Sequence, residues 1–114
     1  MKLIIAIVQP DKLDLVRESL ARVEVHRITV NRVAGHGDEV GEELYRGQKV
    51  MPDLLPKVRL EIACNEEFVE PCCQAILESA RHEGGNSGDG VIFIQPLEEC
   101  IRISNGERGV TAIG

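Results

Sequence analysis

The spacing of apolar and polar residues changes several times along this chain, and each change marks an element. Residues 2–8, KLIIAIV, are a nearly unbroken apolar run closed by Gln9-Pro10, as expected of a buried central strand. From Asp11 the period becomes helical: Leu13, Val16, Leu20 and Val23 recur with Asp14, Arg17, Glu18 and Arg22 between them, the pattern of an amphipathic helix. HRITVNRVAG (26–35) returns to β-rich residues. KVRLEIAC (57–64) alternates, with Val58, Leu60, Ile62 and Cys64 on one face. Both are expected as strands.

Asn65 is a candidate N-cap for a second helix, in which Val69, Cys72, Cys73, Ile76 and Ala80 make the apolar stripe. Glu66 and Glu67 suit its positive end, while Pro71 implies that the regular helix starts nearer Glu70 or bends slightly. VIFI (91–94) and ECIRIS (99–104) read as two more short strands before a polar tail. The order β-α-β-β-α-β predicts an α+β fold of the ferredoxin-like kind, an antiparallel sheet with two helices on one face.

At 114 residues the chain holds one domain, 1–114. Aromatic residues are only 3%, which leaves little for a base-stacking surface, and a net charge of −6 repels a phosphate backbone, so no nucleic-acid partner is expected. The first apolar run stops at Gln9-Pro10-Asp11 without a small-residue cleavage pattern, and no run approaches the ~20 residues of a membrane span. A cytoplasmic protein that does not itself span a membrane is expected. Cys64, Cys72, Cys73 and Cys100 form no spaced framework and read as reduced, small apolar side chains.

Two loops carry candidate chemistry. Residues 80–93, ARHEGGNSGDGVIF, resemble a glycine loop that cradles phosphate, yet no Lys or Arg follows Arg81. Residues 34–56 form a long segment with a Tyr45-Arg46-Gly47 motif and the acidic cluster Asp38, Glu39, Glu42 and Glu43, which reads first as a solvated loop. Asp89 reads as a turn-former, and no nucleophile has an evident partner, so an enzyme is not expected. His36 lies near Asp38 and Glu39, whereas His26 and His82 have no evident liganding company.

The segments AIVQPDKLDLVRESL, ELYRG with LPKV, SGDGVIF and CIRISNGERG, in that order, resemble the P-II nitrogen-regulatory signal-transduction family across nearly the whole chain. The resemblance implies a homotrimer with nucleotide clefts between subunits. It also implies a T-loop, about residues 35–56, that engages a partner such as a membrane transporter or a metabolic enzyme, together with a glycine-rich loop at about 82–90 and a C-terminal segment at 104–114. By the same resemblance Ile7, Thr29, Gly35, Gly37, Glu61 and Ala63 enclose adenine and ribose, Gly88, Asp89, Gly90 and Arg102 hold phosphate, and Glu39, Tyr45, Arg46 and Lys57 belong to the signalling loop and its base.

Departures from the family pattern fall on the phosphate half. The connector HEGGNS is two residues longer than usual, Asn86 stands near a usual Lys, Val91 replaces a second Lys, Ser104 replaces an Arg, and Asp38 stands where a basic residue is common. Three lost charged hydrogen bonds weaken triphosphate binding by roughly 4 kcal/mol, or about a thousandfold. The expected ligand is therefore an adenine nucleotide with one or two phosphates, AMP or ADP, rather than ATP. Glu39 in place of a Gln repels 2-oxoglutarate while leaving magnesium open, and Val50 occupies the place of the tyrosine that some relatives uridylylate. The alternative is a metal-responsive trimer, similar in fold to the divalent-cation tolerance proteins, with His36 and loop carboxylates or a cysteine as ligands.

Overall fold

The structure, a computed structural model, describes residues 1–36 and 53–114 together with the backbone of 43–45 and 48–50. Strands β1 (Lys2–Val8), β2 (Thr29–Gly35), β5 (Leu55–Cys64) and β6 (Gly90–Pro96) form one antiparallel sheet in the order β2-β5-β1-β6. A separate two-stranded ribbon, β3 (Glu43–Tyr45) and β4 (Gln48–Val50), lies in the connection between β2 and β5. Helices α1 (Leu13–Arg22) and α2 (Glu66–Ala80) pack on one another, and a short α3 (Val110–Ile113) ends the chain. This is the ferredoxin-like arrangement that the sequence periods predict.

Alternation along the central strands sets the core. Ile4, Ala6 and Val8 of β1 and Val58, Leu60, Ile62 and Cys64 of β5 are buried with Val16 and Leu20 of α1 and Val69, Cys72, Cys73 and Ile76 of α2. Each such aliphatic side chain contributes about 1.5–3 kcal/mol by leaving water. The thiols behave as apolar filler: all four are free, and burial, helped by Cys64 and Cys73, pushes Cys72 up to about 12.

Two details depart from expectation, and a third is one the sequence did not signal. Pro71 does not delay α2, which runs regularly from Glu66; its missing N–H lies in the second turn, where the helix is already nucleated by packing. Residues 99–104 do not form a strand. Ile101 makes one bridge to Arg108 across a tight return, and the segment joins neither sheet. Helix α1 ends at a residue with positive φ that is not glycine: Glu24, at φ 64.

Glu24 sits in a paired C-terminal cap in which its amide bonds Ala21 O and the Val25 amide bonds Leu20 O, while Val25 tucks into the core. A side chain in this left-handed conformation costs about 1 kcal/mol relative to glycine. Glu24→Gly is therefore expected to raise stability by about 0.5–1 kcal/mol in urea melts.

Candidate functional site

Register places the predicted strand residues on a common face. Ile7 lies opposite Arg59 and Val91, Thr29 opposite Glu61, Leu3 opposite Ala63, Val33 opposite Lys57, and Gly35 opposite Leu55. Directly paired residues point to the same side, and these alternate with the buried Ile4, Ala6, Val8, Leu60 and Ile62. Ile7, Thr29, Gly35, Lys57, Glu61 and Ala63 therefore share the side of the sheet opposite the α1–α2 layer. Val91 and Phe93 of the edge strand β6 are respectively 46% and 54% exposed. A long stretch of apolar strand is thus left without cover by the helices.

The predicted residues do not converge on one point within the chain. Ile7 adjoins the glycine loop at one end, whereas Ala63 pairs with Leu3, four residues away along β1, or roughly 13 Å at a strand's rise. Each end has its own cleft. One, of about 810 Å³, lies between the β1–α1 turn and the glycine loop and includes Gly88 and Asp89. The other, of about 570 Å³, is lined by Thr29, Glu61, Ala63, Cys100, Ala112 and Ile113.

The glycine loop is built from short-range bonds. The Gly85 amide bonds His82 O, and residues Ser87–Asp89 make a single 3-10 turn in which the Asp89 amide bonds Asn86 O and Asp89 Oδ2 accepts the Asn86 amide at 2.8 Å. Asp89 is thus the turn-former that the sequence suggests. The Asn86 amide holds its carboxyl below the usual carboxylate range, and His82 adds to the effect. The amides of Ser87 and Gly88 have no partner inside the turn. Among the described residues lining this cleft, the charged ones are Asp11, His82 and Asp89, with no Lys or Arg. Arg81 is exposed, and its aliphatic stem lies beside Gly85.

His82 corrects the sequence reading. It has company from far along the chain: Nε2 lies 2.9 Å from Asp11 Oδ2 and Nδ1 lies 2.6 Å from Asp89 Oδ1. The side chain of Gln9 donates to Gly88 O, a second tie between the β1–α1 turn and the loop. Sequence reasoning also missed Arg59, whose Nη2 bonds Glu61 Oε1 at 3.1 Å; its signal was the two-residue spacing that puts both on one face of a strand.

At the other end, side chains from three elements hold the last turn by its carbonyls. Asn65 Nδ2 donates to Val110 O, Arg102 Nη2 to Ala112 O at 2.9 Å, and Arg27 Nη1 to Ile113 O at 2.9 Å. Asn65 precedes α2 as expected, but its side chain serves this turn instead of capping the helix. Arg102, predicted to hold phosphate, is occupied in this way and also faces Glu107. Gly37, Asp38, Glu39 and Arg46, with the side chains of Tyr45 and Val50, lie outside the described residues. Among the described residues no group of three or more His, Cys, Asp or Glu is arranged to hold a metal ion, and no helix is long and apolar enough to cross a membrane.

The family described as Nitrogen regulatory protein P-II matches residues 1–107. The nitrogen regulatory protein P-II of Pasteurella multocida is 48% identical over 114 residues, covering 99% of this chain and 100% of the relative. Nitrogen regulatory protein GlnK1 of Methanosarcina mazei is 44% identical, covering 99% of this chain and 97% of its own. The P-II protein of Azospirillum brasilense is 45% identical, with 99% and 100% covered. With this likeness running from end to end over a β2-β5-β1-β6 sheet, the chain belongs to the P-II nitrogen regulatory family of signal-transduction proteins.

Proposed function

We propose that this protein is a non-enzymatic regulator that works as a homotrimer. It binds AMP or ADP in preference to ATP between subunits and controls a membrane transporter or a metabolic enzyme through the T-loop at about 35–56. The observation that carries the reading is that Gly88 and Asp89 line one cleft while Thr29, Glu61 and Ala63 line another, toward opposite ends of the sheet. A neighbouring copy that brings its Thr29–Ala63 end to the glycine loop of the first completes a site that neither chain holds alone. The exposed Val91 and Phe93 give such copies apolar surface to bury. Among the described residues that line the cleft holding Gly88 and Asp89 there is no Lys or Arg, which supports the preference for fewer phosphates.

Light scattering and titration calorimetry test the reading together. A mass of three chains is expected, with saturable binding of ADP or AMP, ATP binding no more tightly than ADP, and no gain from 2-oxoglutarate. Tight ATP binding that 2-oxoglutarate enhances would overturn the selectivity. Silent nucleotides with saturable divalent-ion binding would select the metal-responsive alternative.

A further inference from the structure

His82 lies between two carboxylates supplied by different parts of the chain, Asp11 from the β1–α1 turn and Asp89 from the glycine loop. Ionised carboxylates only accept hydrogen bonds, and an imidazole donates from both ring nitrogens only when it is protonated. The neutral ring must turn one lone pair toward a carboxylate, so one of the two contacts is lost whichever tautomer forms. Because Asp89 Oδ2 also closes the 3-10 turn through the Asn86 amide, the proton on His82 bears on the loop's own geometry. We infer that protonated His82 latches the glycine loop to the β1–α1 turn, so that the shape and anion affinity of this loop are proton-linked.

Among the described residues lining the cleft, no charge beyond these three is present. From the turn, Lys12 follows Asp11 in sequence but does not line the cleft; from β5 the lining residues are Leu55 and Pro56, neither titratable. On the histidine's own segment, Glu83 is exposed and Arg81 lies against Gly85. Two carboxylates and one imidazolium sum to −1, and loss of the proton makes the cluster −2. The hydrogen bond to Asp11, then that to Asp89, raises the His82 midpoint above its ordinary 6.5. A raised midpoint means that the latch contributes fully below about pH 6.5 and is lost as pH rises through the folded value; the lowered Asp89 contributes above about 3.8 and is lost as pH falls below that. The latch is therefore tightest between these limits.

The consequence for ligand rests on the nucleotide reading above, and the test keeps the two apart. Nuclear magnetic resonance of the intact protein without ligand is expected to show His82 titrating above 6.5, with the Asn86 and Asp89 amides shifting at the same midpoint. Asp11→Asn should lower that midpoint while leaving the bond between Asp89 and the Asn86 amide in place. A midpoint at or below the ordinary value, or loop amides that ignore it, overturns the inference. With ADP as the probe, the ratio of wild-type to His82→Gln affinity is expected to fall about threefold from about pH 6 to about pH 9, as the cluster gains one negative charge. A ratio that does not change with pH also overturns it. Failure of both proteins to bind ADP removes the nucleotide reading and leaves the resonance titration to decide the latch.

Discussion

Gly90→Ala is expected to destabilise the protein by at least about 3 kcal/mol. Gly90 opens β6 directly beside β1 at φ +127, and a Cβ there would stand 1.9 Å from Ile7 O and 3.0 Å from Ile7 C. The obstructing atoms are backbone, and β1 is held on both sides by β5 and β6, so it cannot retreat without opening its ladder. Gly84→Ala is the matched control. It also has positive φ, +79, but nothing lies within 4 Å of its Cβ, so only the left-handed strain of about 1 kcal/mol applies. Urea melts of the two variants separate the steric effect from the torsional one. A Gly90→Ala protein as stable as Gly84→Ala would refute the close approach of β6 to Ile7.

Val91→Lys should restore affinity for a third phosphate. Val91 is the first residue after the glycine loop, lies opposite Ile7 in register and is 46% exposed, so a long polar side chain is accommodated without burying charge. One charged hydrogen bond to phosphate is worth about 1.5–3 kcal/mol, which predicts an ATP affinity about 10- to 100-fold higher than wild type. AMP, with its phosphate count unchanged, is expected to gain much less. Calorimetry with both nucleotides checks the difference. An equal gain for AMP and ATP would mean that the lysine acts as general positive charge and does not reach the terminal phosphate.

Much of the fold is legible in the sequence because the local period and the tertiary environment agree. The alternation of KVRLEIAC becomes the buried and open faces of β5, and the 3.6-residue stripe from Val69 to Ala80 becomes the inner side of α2. Reading fails where the deciding partner is distant or absent. ECIRIS alternates like a strand, but alternation does not choose a partner, and among the described residues the segment pairs through a single bridge, Ile101 to Arg108. His82 is 71 residues from Asp11, a separation that no spacing rule spans. Glu24 carries a conformation that glycine would have advertised, and the cap is held by Val25 and by backbone bonds that composition does not show. The candidate strand residues came as a set from the family resemblance, and the periodic register of a pleated sheet puts them on one face. The separation of the site residues into two clefts was not legible, since it depends on which end of each strand faces a loop.

The donors that hold the last turn bind it by its backbone, so the identity of residues 110–113 matters less than their presence. The Arg102 guanidinium bonds to Ala112 O and also faces Glu107. If that side chain swings out to meet a phosphate, the far end of the polypeptide is loosened in the same movement. A ligand that drew Arg102 away would thus be felt some distance from where it sits, and a probe attached near Thr111 would register the change.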